Sequence, residues 1–152
     1  MKKLLILGGS SYLLPAIRAA HELGIYVITA DYLPDNIAHK YSDEYHNVSI
    51  IDKDAILQLA EDLQIDGIVS YATDPGVVVA AYVAEKLGLP TSPYKSVKIL
   101  QNKGKFREFL RDNNFNVPYS ETFKEYSEVE LSKFKFPIIV KPVDSAGSKG
   151  VT

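Results

Sequence analysis

The chain has 152 residues, a formal net charge of −2 and no cysteine, enough for one average domain or two smaller compact pieces without covalent staples. The missing cysteines exclude disulfide frameworks, thiol nucleophiles, iron–sulfur clusters and cysteine-ligated zinc. The three histidines, His21, His39 and His46, lack metal-ligand spacing. Lysines and arginines are scattered rather than clustered, so no electrostatic footprint for nucleic acid is present. The longest apolar run, residues 77–84, is too short to span a bilayer and is interrupted by Tyr82. The apolar residues 4–7 stop at Gly8 and Gly9, too soon for a secretory leader. No membrane contact and a cytoplasmic location are therefore expected.

In chain order, residues 4–7 are a continuous apolar run ending in glycines, the pattern of a strand buried on both faces. Leu13, Leu14, Ile17, Ala20 and Leu23 then recur at helical spacing, and Gly24 supplies a stop. Residues 25–30 and 45–50 read as strands, and a helix from about Asp52 carries Ile56, Leu59 and Leu63 on one face. Residues 65–70 read as a further strand. Asp74 and Pro75 open another helix, with the aspartate as a candidate cap, and Gly88 closes it. Residues 89–92 would be a last short strand. Strands alternating with helices of about a dozen residues predict an α/β fold, a doubly wound parallel sheet over residues 1–92.

Pro90 and Pro93 mark a boundary. Residues 93–118 are expected to form a helical linker, with helices over 94–101 and 103–112 separated near Gly104. Residues 119–152 have a different texture: an edge-type strand at 119–123, a short helix at 127–133 and a strand at 137–141 that runs into a loop. A sheet would be expected to continue beyond Thr152, so the chain is expected to be a fragment.

That loop, Val140-Lys141-Pro142-Val143-Asp144-Ser145-Ala146-Gly147-Ser148-Lys149-Gly150-Val151, is the most informative stretch. A β-branched strand delivers a lysine at its end, and proline, lacking an N–H, stops the ladder. Small residues then let backbone N–H groups approach an anion, while Ser145, Ser148 and Lys149 add donors and positive charge. The arrangement suits a triphosphate, but it is not a Walker loop, which needs Gly-Lys-Ser/Thr after a fixed spacing. A plain hairpin with a solvated lysine would have the same composition.

Residues 137–151 resemble the strand and phosphate-covering loop of ATP-grasp enzymes. Upstream, Asn102-Lys103-Gly104-Lys105-Phe106-Arg107-Glu108-Phe109-Leu110 and Val117-Pro118 resemble the Asp-Lys helix and proline that precede that domain, with Asn102 where aspartate is usual. Gly8-Gly9-Ser10 after the first strand and Asp31 after the second are similar to the pre-ATP-grasp domain. In layout the chain resembles formate-dependent glycinamide ribonucleotide transformylase, biotin carboxylase and the carbamoyl phosphate synthetase large subunit. The resemblance implies a Rossmann-like pre-ATP-grasp domain followed by an incomplete α+β ATP-grasp subdomain over 119–152.

It also implies ATP and Mg2+ as cofactors, and a ligase that joins a carboxylate to an amine or other nucleophile through an acyl phosphate. By the resemblance, Lys103 and Lys141 reach the ATP phosphates from two sides, and Ser145, Gly147, Ser148 and Lys149 close over them. The groups that ligate magnesium and transfer the phosphoryl lie beyond the residues present, which implies that this chain alone is inactive. The partners implied are small-molecule carboxylate and amine substrates, and a homodimer is compatible with the resemblance.

Gly9 and Ser10 lie where ligands of doubly wound sheets bind, and Asp31 could mimic a ribose-binding acid. In the family this crevice serves the acceptor substrate. A Gly-x-Gly-x-x-Gly fingerprint fails at Ser10 and Leu13, and local turn chemistry accounts equally for Gly9, Ser10 and Asp31. Thr73 and Asp74 precede a helix, where free N–H groups favour an anion or where simple capping suffices. His21 is expected to be partly packed, with His39 and His46 at the surface. Tyr41, Tyr45 and Tyr126 read as amphipathic packing. The rival reading is a doubly wound module that binds a nucleotide, a sugar or NAD through residues 8–31 without ligase chemistry.

Overall fold

The computed structural model describes residues 1–145, 147 and 150–152, and the chain divides into two compact units, Met1–Val97 and Lys98–Thr152. The first unit is built on a parallel four-stranded sheet of β1 (Lys3–Leu7), β2 (Tyr26–Ala30), β3 (Glu44–His46) and β4 (Gly67–Val69), in the order β3-β2-β1-β4. Leu4 lies level with Val27 on one side and Gly67 on the other, and Ala30 with His46.

Alternation along the strands explains why β1 and β2 are apolar throughout. Leu5, Leu7, Ile28 and Ala30 point to one face, against Ile56 and Ala60 of α2 (Lys53–Leu63) and Val79 and Val83 of α3 (Asp74–Lys86). Ile6 and Val27 point to the other face, against Ile17 and Ala20 of α1 (Leu14–Glu22). Both faces are covered, so both sets of side chains are buried. The chain winds from β1 outward to β3, then returns to place β4 on β1's other side. The switch of direction therefore falls between β1 and β4, where ligands of such sheets bind beyond the strands' carboxyl ends.

Several expected elements differ. Asp74 and Pro75 are the first helical residues of α3 and Thr73 holds the cap position, but no side chain caps the helix. The Thr73 hydroxyl instead donates to the Tyr71 carbonyl at 3.2 Å. Residues 89–92 form no strand: the Leu89 N–H closes the end of α3 on the Ala84 carbonyl at 2.8 Å, and Pro90 has no N–H to offer. A cavity of about 230 Å3 separates this segment from β4, lined by Ile68, Val69, Ser70, Val77, Pro90 and Thr91 among others.

In the second unit, α4 (Tyr94–Gln101) and α5 (Lys103–Asp112) have the expected bounds, α4 beginning within the first unit. The break between them falls at Asn102 rather than Gly104, because the Asn102 side chain accepts from the Lys105 N–H at 3.0 Å and caps α5. Gly104 is inside α5 at a close approach: a Cβ there would sit 2.6 Å from Thr122 Oγ1. Neither 119–123 nor 137–141 is a strand. Tyr119 and Phe123 meet the edge of Phe134 instead, and Ser120's carbonyl accepts from Arg111. In 137–141, Pro137 cannot donate, and Val140 exchanges its N–H and C=O with Thr152, at 2.8 and 2.9 Å. The helix expected over 127–133 is two short turns, Tyr126–Glu128 and Leu131–Lys133, with an extended junction between them.

Candidate functional site

In the first unit the loops after β1, β2 and β4 meet at the strands' carboxyl ends. Gly8, Gly9 and Ser10 leave β1, and the Gly8 N–H donates to the Ala30 carbonyl at 2.8 Å. Gly9 must be glycine because a Cβ there would lie 2.5 Å from His39 Nε2 and 2.6 Å from Asn36 Cβ. Its carbonyl accepts from Ala38 N–H at 3.0 Å. On the other side, a Cβ on Gly8 would meet Thr73 Oγ1 at 3.2 Å. The glycine turn is thus packed against this chain's own side chains. Ser10 is half-buried and its hydroxyl caps nothing.

Asp31 is buried and organises its own loop. One carboxylate oxygen accepts from the Leu33 N–H at 3.1 Å and the other from Asn36 Nδ2 at 3.2 Å, while Tyr45 donates its hydroxyl to the Asp31 carbonyl at 2.9 Å. Thr73 is half-buried and Asp74 exposed at the start of α3. The Ser70 hydroxyl donates to the Thr73 carbonyl at 2.6 Å, fixing the β4 loop against α3.

A cluster centred on His39 lies beneath this crevice. Its Nε2–H donates to the Leu33 carbonyl at 3.2 Å, so Nδ1 accepts from the Thr29 hydroxyl at 2.9 Å, and Thr29 also bonds Ser42 at 2.8 Å. The ring lies 4.0 Å from that of Tyr45. Burial lowers the His39 pKa below its ordinary value, against the Leu33 carbonyl and the Asp31 charge, which raise it. His39 is therefore a half-buried neutral pin rather than the expected surface residue. His46 is also half-buried and holds Glu44 Oε1 at 2.7 Å. Thr29 was the available signal: a polar residue inside an apolar strand must find partners when buried.

In the second unit the residues expected to touch phosphate come from α5 and the segment that follows residue 140. Lys103 is bonded twice to that segment: its N–H donates to the Val143 carbonyl at 2.8 Å and its Nζ to the Ser145 carbonyl at 2.7 Å. Capping by Asn102 fixes the first turn of α5 that presents Lys103. Lys141 is exposed beside the Val140–Thr152 pair, with no hydrogen bond or ion pair from its side chain among the described residues. Gly147 adopts φ +63°, a left-handed conformation that favours glycine. Ser148 and Lys149 lie outside the described residues. Among the described residues, no group of three or more His, Asp or Glu side chains could hold a metal, and no helix is long and apolar enough to cross a membrane.

Residues 17–91 match the family model of the ATP-grasp N-terminal domain. The formate-dependent phosphoribosylglycinamide formyltransferase of Burkholderia mallei is 27% identical over 97% of this chain. The chain spans 38% of that relative's length. Among solved structures, the L-amino acid ligase of Bacillus licheniformis superposes with a TM-score of 0.78 at 25% identity, covering 95% of this chain and 38% of that one. The phosphoribosylglycinamide synthetase of Anaerococcus prevotii gives 0.77 at 29% identity, covering 94% and 37%.

Proposed function

Because the chain belongs to the ATP-grasp superfamily, as a counterpart of the N-terminal portion of its enzymes, we propose that the whole protein is an ATP-dependent ligase joining a carboxylate to an amine. The observation that carries this reading is the double attachment of Lys103 to the segment that bears Lys141, Ser145 and Gly147. It gathers two ammonium groups and a run of small residues in one unit. That set suits a polyanion: fixed cations offset phosphate charge, and small residues leave backbone N–H groups accessible.

Lys103, Lys141, Ser145, Gly147, Ser148 and Lys149 would hold the ATP phosphates, with Lys103 exchanging the Ser145 carbonyl for a phosphate oxygen. Magnesium, when bound with the nucleotide, would offset part of the phosphate charge. Its protein ligands are not assigned to residues of this chain. In the reaction a substrate carboxylate oxygen bonds to the γ-phosphorus as the bond to ADP breaks. The amine then attacks the acyl carbon, loses a proton and expels inorganic phosphate. Such transfer needs positioning and charge neutralisation more than side-chain covalency. Gly9, Ser10, Asp31, Thr73 and Asp74 would shape the acceptor crevice, with Asp31 acting through its loop rather than on the ligand.

The rival NAD- or sugar-binding reading needs the turn at Gly8 and Gly9 to be open to a ligand, and that turn is packed by Asn36, His39 and Thr73. Calorimetric titration with Mg-ATP tests the ligase reading. Lys103→Ala and Lys141→Ala should each weaken binding by about 10-fold or more, the scale of a charge-assisted hydrogen bond. Unchanged affinity in both variants overturns it. The 152-residue chain alone should release no ADP with any carboxylate and amine pair.

A further inference from the structure

Resting on that ligase reading, we infer that the crevice at the carboxyl ends of β1, β2 and β4 takes an aromatic amine that carries no phosphate. Three loops touch there, through Gly8 with Thr73 and Gly9 with Asn36 and His39, and each exposes a tyrosine: Tyr12 at 70%, Tyr32 at 60% and Tyr71 at 45%. None of the three rings stacks on another aromatic among the described residues, whereas Tyr45 and Tyr82 are engaged with His39 and Tyr94. Exposed tyrosines at the ligand-binding end of the sheet offer flat faces for an aromatic ring and a quadrupole that attracts an ammonium.

Charge decides between a phosphate-bearing ligand and a cationic one. Residues 8–13, 31–38 and 70–76 contain no lysine or arginine. Their acids are Asp31, Asp35 and Asp74. Asp31 is consumed by Leu33 and Asn36, but Asp35 and Asp74 are exposed and form no ion pair among the described residues. His39, whose ring packs on Gly9, is held toward its neutral form by burial. Two features that could hold a phosphate are already taken. The glycine turn is filled by Asn36, His39 and Thr73, and Asp74 in the first turn of α3 sets a negative charge at the positive end of the helix dipole. A phosphate dianion would meet carboxylates without a counter-cation, while an ammonium would be matched.

The test is an amide-shift titration of the 15N-labelled 152-residue chain with L-tyrosinamide and, separately, ribose 5-phosphate. Saturable shifts at Ser10, Tyr12, Tyr32, Leu33, Tyr71 and Asp74 are expected with tyrosinamide and none with ribose 5-phosphate. Tyr32→Ala, Tyr71→Ala and Asp74→Asn should each weaken tyrosinamide binding by about 3- to 10-fold, with unchanged Leu5 and Ile28 amides showing that the fold is intact. Binding of ribose 5-phosphate in preference to tyrosinamide overturns the inference, as does binding of neither. A parallel Mg-ATP arm, read at Lys103 and residues 140–145, separates the two ideas: its failure removes the ligase reading, whereas failure of tyrosinamide alone removes only the acceptor class.

Discussion

In Met1–Val97 the apolar side chains of β1 and β2 disappear between helices, and every buried hydrophobic residue among those described belongs to this unit. Lys98–Thr152 is poorer in apolar residues, and those it has stay at the surface: Phe115, Phe136, Ile139 and Val140 are all more than half exposed and none of its described residues is buried. The first unit is held by a two-faced core; the second is held by turns, a helix cap and single hydrogen bonds. Local stability follows buried apolar area and protected hydrogen bonds, so the two units should respond to the same kind of change very differently.

Truncation should show the largest contrast. Leu5→Ala or Ile28→Ala removes a fully buried side chain and should cost about 2–5 kcal/mol in denaturant unfolding, while Ile139→Ala should stay within about 0.5 kcal/mol. Equal losses would erase the distinction between the units. Next comes Gly9→Ala, where the new methyl would meet Asn36 Cβ and His39; overpacking of this kind costs about 1–3 kcal/mol, and a neutral result would show that the loop after β2 gives way freely. In the second unit, Asn102→Ala should remove about 1 kcal/mol, read as faster hydrogen exchange over Lys103–Asp112 with the first unit unchanged.

The smallest effect is pH dependence. All three histidines lie in the first unit. His39's folded pKa is below its unfolded value of about 6.5, so the unfolded state binds the extra proton first. Stability is full above about pH 6.5 and declines as pH falls toward the folded pKa. Thermal unfolding of the first unit from pH 7.5 to 5 should show this decline, and His39→Gln should flatten it. A slope unchanged in that variant would place the titration elsewhere.

The same difference in burial explains what was legible in the sequence. The doubly wound sheet follows from period and punctuation: runs such as Leu4–Leu7 are apolar because both faces are covered, and Gly24 and Gly88 end helices with left-handed φ. Where few side chains are buried, the pattern carries less. The apolar alternation at 119–123 and 137–141 reads as strand, but among the described residues prolines and the lack of a paired neighbour leave only the Val140–Thr152 exchange. Of the candidate site, the linkage of Lys103 to the Ser145 segment joins residues 42 positions apart, visible beforehand only through family resemblance. The role of Asp31 was hidden because a ribose-binding acid and a loop-forming acid occupy the same place after β2, and only Leu33 and Asn36 distinguish them. His39 depends on a contact with Gly9 that no local pattern announces.

Hydrogen exchange of the 152-residue chain with and without saturating Mg-ATP tests the nucleotide assignment most directly. Slowed exchange is expected at Lys103, at residues 143–145 and at Gly147 and Gly150, with Gly8, Gly9 and Asp31 unchanged. Slowing confined to Gly8, Gly9 and Asp31, with the second unit unaffected, would contradict it.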